Sequence, residues 1–190
     1  GESGEDTVQR FIGGIKPGLR CPIVIAQHMP EVFTQAMAER LDRLGAAPVK
    51  HGSSGMIVER GSVYVAPGGQ HTRVYRSAGH MRLRVSTSPE ELLYRPSADE
   101  LLASAAEACG RRSLAIILTG MGEDGLEGAR VLKKAGGLLV AQDFASCVVY
   151  GMPKAVTQAG LADASLPPDR VAALLGRLGA PSAVTSGASA

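Results

Sequence analysis

Three short apolar runs constrain this chain most: Ile23 to Gln27, Leu114 to Thr119 and Leu138 to Gln142. Each has the length of a strand and is apolar throughout instead of alternating, the pattern of a strand buried on both faces. Helical patterns fill the spaces between them. Phe33 to Leu44 carries Phe33, Ala36, Met37, Leu41 and Leu44 at helical spacing, and Gly45 stops it. Thr7 to Ile15, Pro96 to Cys109, Glu123 to Ala135, Pro153 to Ala159 and Pro168 to Leu178 read the same way, with Ser97 as the cap of the second. Strands that alternate with helices predict a three-layer, doubly wound α/β domain with a mainly parallel sheet.

One section departs from that rhythm. Val49 to His51, Ser62 to Ala66, Arg73 to Arg76 and Met81 to Ser86 read as short strands broken by Gly52-Ser53-Ser54-Gly55, Pro67-Gly68-Gly69 and Ser77-Ala78-Gly79-His80. They predict an antiparallel section at one edge. Arg73, Arg76, Arg82 and Arg84 alternate with apolar neighbours there, so a wet, basic face is expected. The domain is expected over residues 1–179, with a disordered small-residue tail over 180–190.

Charge and composition narrow the function. A net charge of +2, basic runs of no more than two residues and 4% aromatics argue against a nucleic-acid surface. No apolar stretch approaches the roughly 20 residues that span a bilayer, so no membrane insertion is expected. Cys21, Cys109 and Cys147 are odd in number and far apart. They fit neither a disulfide framework nor a zinc cluster, and read as small hydrophobes in a reducing compartment.

Chemistry is expected at the carboxyl ends of the strands, where loops of an open α/β sheet gather ligands. The first apolar run ends in His28-Met29-Pro30, and Pro30 suits a helix start. The second ends in Thr119-Gly120-Met121-Gly122-Glu123-Asp124-Gly125. Its glycines let several N–H groups converge on an anion, and Asp124 is either a site carboxylate or the cap of the following helix. Ser3 precedes the first helix in Gly1-Glu2-Ser3-Gly4. A hydroxyl, an imidazole and a carboxylate at three loops point to a serine hydrolase. His51, His71 and His80 lie in or beside turns, where solvated surface is the ordinary reading, with His71 the strongest exception. An anion- or nucleotide-binding domain would need a basic residue near the glycine loop, and none lies between Leu114 and Ala129.

The blocks Ala26-Gln27-His28-Met29-Pro30, Val65-Ala66-Pro67-Gly68-Gly69-Gln70-His71, Arg95-Pro96-Ser97-Ala98-Asp99, Ile117 to Gly125, and Ala141-Gln142-Asp143 through Met152-Pro153 come in the order found in one family. From Gly1 to about Leu178 the chain resembles the catalytic domain of the chemotaxis-receptor methylesterases (CheB). That resemblance implies a cytoplasmic protein-glutamate methylesterase, also able to deamidate glutamine, that acts on methyl-accepting chemoreceptors in chemotaxis adaptation. It implies a triad without metal or cofactor: Ser3 as nucleophile, His28 as base and Asp124 as its orienting group. The N–H groups of Met121 and Gly4 would face the oxyanion. An upstream receiver domain is common in such proteins. Two departures stand out. The family's serine stretch, Gly-Ala-Ser-Thr/Ala-Gly-Gly, is here Gly1-Glu2-Ser3-Gly4-Glu5-Asp6, and the strand that precedes it in the family is not found before Ser3. The alternative expectation is therefore a catalytically impaired receptor-binding module of the same fold.

Overall fold

Continuous apolar strands demand cover on both faces, and the computed structural model supplies it. It describes residues 4–176 and the backbone of Ser182–Gly187. Seven strands form one all-parallel sheet: β1 (Ile23–Gln27), β2 (Val49–His51), β3 (Val63–Val65), β6 (Ser113–Ile117), β7 (Leu138–Gln142), β8 (Ala164–Leu166) and β9 (Ser182–Gly187), in the order β2-β3-β1-β9-β6-β7-β8. The other two, β4 (His71–Ser77) and β5 (His80–Ser86), pair antiparallel as a separate two-stranded sheet.

Alternate residues of each strand feed alternate faces. Ile23, Ile25, Leu114 and Ile116 pack with helices α1 (Gly4–Gly13), α2 (Glu31–Arg43) and α6 (Pro168–Leu175), through Phe11, Met37, Leu41 and Val171 among others. Val24, Ala26, Ala115 and Ile117 pack with α3 (Ala98–Cys109), α4 (Leu126–Lys134) and α5 (Met152–Gln158), through Leu101, Leu102, Leu132 and Val156. The three predicted layers are present. Each fully buried Leu, Ile or Phe adds about 1.5–3 kcal/mol of transfer free energy.

Two expectations are corrected. The local pattern assigns Val49 to His51 and Ser62 to Ala66 to the antiparallel section, yet β2 and β3 are parallel strands at one edge of the main sheet. They are too short for sequence alternation to reveal direction, which rests on the partner strand. Composition predicts no regular structure from Ala180 onward, yet β9 sits at the centre of the sheet. It pairs with β1 from Ile23↔Ala183 to Gln27↔Gly187, and with β6 from Ser113↔Ser182 to Ile117↔Ser186. Two strands that would otherwise carry unpaired edges thereby gain a shared partner.

The hairpin of β4 and β5 lies against α3. Val74 and Leu83 face inward and are buried, and the Val74 N–H donates to Ser104 Oγ at 3.0 Å. Arg73 lies opposite Arg84, and Tyr75 opposite Arg82, so three of the four arginines share the outward face. Arg76 sits on the inward side and donates to the Ala108 carbonyl at 2.8 Å. Among the described residues no helix is long and apolar enough to cross a membrane.

Candidate active site

His28 comes directly after β1 and continues the face of Val24 and Ala26, so its ring turns toward α3. The turn that holds it is pinned from outside. Gly68 approaches so closely that a Cβ there would lie 2.1 Å from the Met29 carbonyl oxygen. The Gly68 N–H donates to Thr34 Oγ1 at 3.0 Å, and that hydroxyl donates to the Glu31 carbonyl at 2.9 Å. His51 Nε2 lies 3.0 Å from the same hydroxyl and is its donor, because the hydroxyl proton is already committed. Burial lowers the His51 pKa against the opposing charge of Glu31.

Asp124 meets His28 across the edge of the sheet: His28 Nε2 and Asp124 Oδ2 are 2.6 Å apart, and both side chains are buried. The carboxylate does not cap its own helix. Gly125, at φ +100°, is the N-cap of α4, while Asp124 serves the start of α3. Ser97 Oγ donates to its Oδ1 at 2.9 Å, the Ala98 N–H to Oδ2 at 2.7 Å and the Asp99 N–H to Oδ1 at 3.1 Å. Asp99 reciprocates, accepting from the N–H groups of Gly125 and Gly128 at 3.0 and 2.7 Å. The two helix starts are thus capped by each other's acid. Ser97 fills the N-cap position, as expected, but spends its hydroxyl on the site carboxylate.

The two acids diverge electrostatically. Burial works to raise the Asp124 pKa, but the hydrogen bonds from His28 and Ala98, the His28 charge and the Asp99 N–H outweigh it and bring the carboxyl below its ordinary value. For Asp99, burial wins over the Gly128 and Gly125 N–H groups, helped by the charges of Asp124 and Glu127, so its pKa is raised. Asp124 is therefore the acid that stays ionised against an imidazolium.

Sequence reasoning missed three supports. The Tyr94 ring stacks on His28 with centroids 4.1 Å apart and planes 6° from parallel. His71, which its turn places beside the surface histidines as the strongest exception, is buried. It donates from Nε2 to the Pro89 carbonyl at 2.8 Å, and accepts the Ser97 N–H on Nδ1 at 3.2 Å. Asp99 is the third. For His71 and Asp99 the signal was the motif blocks that hold them, whereas Tyr94 lies outside every block; which atoms all three serve is a tertiary matter.

The glycine loop lies beside the pair. The Gly120 N–H is taken by the Val149 carbonyl at 3.0 Å, and the Gly120 carbonyl accepts from Gly151 and Met152 at 3.1 and 2.8 Å. Gly122 holds φ +83°, and a Cβ there would lie 3.0 Å from the Tyr94 hydroxyl. Among the described residues the Met121 N–H makes no hydrogen bond. An open pocket of about 360 Å³ adjoins, lined by Leu92, Tyr94, Gly122 and Asp124 among others.

Gly4 opens α1 and is buried. Ser3 lies outside the described residues. The Glu5 carboxylate, one of the two acids that replace glycines of the family's serine stretch, pairs with Arg40 of α2. Burial pushes the Cys147 thiol up to about 11, which makes it a poor nucleophile at neutral pH.

Comparisons place the chain among known proteins. The family model for CheB methylesterase matches residues 2–175. Protein-glutamate methylesterase/protein-glutamine glutaminase 1 of Oleidesulfovibrio alaskensis is 50% identical over 169 residues, covering 89% of this chain and 46% of that protein. The corresponding protein 2 of Nitratidesulfovibrio vulgaris is 47% identical over 172 residues, covering 90% and 47%. The chain spans about half the length of the curated relatives it matches. The crystal structure of the Thermotoga maritima CheB methylesterase catalytic domain superposes with a TM-score of 0.88 at 37% identity, covering 92% of each chain.

Proposed function

The chain belongs to the CheB methylesterase family, and we propose that it is a cytoplasmic hydrolase of γ-methyl glutamate esters on methyl-accepting chemoreceptors, and deamidates glutamines at such sites. The observation that carries this reading is the buried 2.6 Å contact between His28 Nε2 and Asp124 Oδ2 at the carboxyl edge of a parallel sheet. Asp124, held ionised by its N–H donors, fixes the tautomer with the proton on Nε2. That leaves Nδ1 as the base.

A serine Oγ attacks the ester carbonyl carbon while its proton passes to His28 Nδ1, and Asp124 stabilises the imidazolium. The carbonyl oxygen gains the negative charge, and the Met121 N–H donates to it. Collapse breaks the carbon–oxygen bond to the methoxy group, which leaves as methanol with the proton from His28. Water then repeats the cycle on the acyl-serine, releasing glutamate and the free hydroxyl. With a glutamine side chain the leaving group is ammonia. Ser3 is the nucleophile carried over by the motif, with Gly4 offering a second oxyanion N–H.

Release of methanol from a methylated receptor preparation tests the reading. The parental chain should release it, and His28→Ala should lower the rate by roughly 10²–10⁴-fold, since triad members act as a unit. A parental chain that binds receptor and releases no methanol sinks the esterase reading and leaves the impaired module.

A further inference from the structure

A groove that the candidate site does not use runs along the hairpin. Three surface cavities of about 220, 290 and 200 Å³ follow β4 in series. The first and second share Arg73 and Arg84, and the second and third share Arg76. The third also takes in Arg60 and Arg112. β4 has seven residues, so the groove runs for about 20 Å at a strand's rise of about 3.3 Å per residue. One end lies at His71, which accepts the N–H of Ser97, a partner of Asp124. The other lies by Pro22 and Arg112, the residues before β1 and β6.

The charge there is one-sided. The chain carries 20 Lys and Arg against 18 Asp and Glu, yet the lining holds five arginines against one carboxylate, Glu107. Arg73 and Arg84 lie directly opposite each other, a pairing that like charges disfavour. Glu100 offsets Arg73, but among the described residues Arg60, Arg76, Arg84 and Arg112 make no ion pair. Shape narrows the occupant. A helix with its side chains is about 10–12 Å wide, too broad to enter such cavities. An extended chain points every second side chain the same way, about 6.6 Å apart, and can place one in each cavity. Nucleic acid would need open rings on which to stack its bases, and the one tyrosine of the lining, Tyr75, is covered by Arg84 at 4.6 Å from its centroid.

We propose that this groove docks an acidic segment of a partner protein in extended conformation. Its alternate carboxylates meet Arg73 and Arg84, then Arg76, then Arg60 and Arg112. The proposal goes beyond the esterase reading and does not rest on it.

Fluorescence anisotropy on the unaltered chain tests this with a labelled peptide of about eight residues that alternates Glu and Val, long enough to span the groove. It should bind saturably and more weakly as salt rises, and the isosteric Gln–Val peptide should bind at least about tenfold more weakly. Arg84→Glu with Arg112→Glu, both exposed, should lower affinity for the Glu–Val peptide at least about tenfold with an unchanged melting curve. The comparison of peptides needs no variant, so it stands even where the variant fails to fold. No saturable binding, equal binding of the two peptides, or undiminished affinity in the folded variant overturns the proposal. An oligothymidylate that binds as tightly as the Glu–Val peptide, and loses affinity in the same variant, overturns it in favour of nucleic acid.

Discussion

The phenol ring of Tyr94 lies flat on the imidazole of His28, 4.1 Å between centroids and 6° from parallel, while Asp124 holds the ring by Nε2 at 2.6 Å. One contact fixes the plane of the ring and the other its rotation. Such a stack contributes about 0.5–1.5 kcal/mol beyond area burial. Tyr94→Phe should therefore keep methanol release within about twofold, and Tyr94→Ala should lower kcat about tenfold with less effect on KM. Steady-state kinetics decide it; equal losses in both variants would assign the effect to the hydroxyl beside Gly122 instead.

Asp124 and Asp99 should respond to pH in opposite directions. The Asp124 carboxyl is lowered on folding, so its contribution is present above the unfolded-state value, about 3.9, and is lost as pH falls through the folded value below it. The Asp99 carboxyl is raised, so its contribution is present below the unfolded value and is lost as pH rises through the folded one. Asp124→Asn should thus lower Tm at pH 7, and the gap should close toward pH 3. Asp99→Asn, which keeps an acceptor for the Gly125 and Gly128 N–H groups and removes a charge beside Asp124, should match or exceed the parental Tm at pH 7. Thermal melts from pH 3 to 8 would show both.

Gly68→Ala should damage the site from a distance. Its Cβ would meet the Met29 carbonyl oxygen at 2.1 Å and the Glu31 nitrogen at 2.5 Å, and neither backbone atom can yield without moving the turn after His28. A cost of about 1–3 kcal/mol is expected, with kcat reduced more than the melting temperature alone accounts for. Gly69→Ala, where no atom lies near but φ is +84°, should destabilise while leaving kcat of the folded fraction unchanged. Active-site titration of the folded fraction separates the two.

The outward face of the hairpin should matter for receptor and not for a small ester. Arg84 lies over Tyr75, 4.6 Å from its ring centroid, and Arg82 donates to the Gly55 carbonyl at 2.8 Å. Arg82→Glu with Arg84→Glu should raise the apparent KM for an acidic receptor at low salt, with the difference shrinking as salt rises, because charges are screened beyond about 10 Å at 0.1 M. Equal losses on receptor and on a small methyl ester would show damage to the fold.

Three of the parallel strands, β1, β6 and β7, were legible from their unbroken apolar runs, and β1 and β7 begin and end where the pattern placed them. The ends of those strands were equally legible as candidate site positions, since His28 and the Gly120 to Gly125 loop are local punctuation. Asp124 was harder. Its position offered capping of α4 as the plain alternative, and only packing of α3 beside that loop turns it to the Ala98 and Asp99 N–H groups and to His28.

Local period and turn chemistry determined the elements apart from β8 and β9, their approximate bounds and the three layers, because those depend on neighbours along the chain. Tertiary structure decided what depends on neighbours across it. It set the direction of β2 and β3, the crossed capping of two helices by each other's acid, and the stack of Tyr94 on His28. It decided β9 above all. Ser182–Gly187 is polar and small-residue by sequence and has no apolar run of its own. Its backbone finds regular partners only because β1 and β6 each leave a row of N–H and C=O groups that one further strand can satisfy.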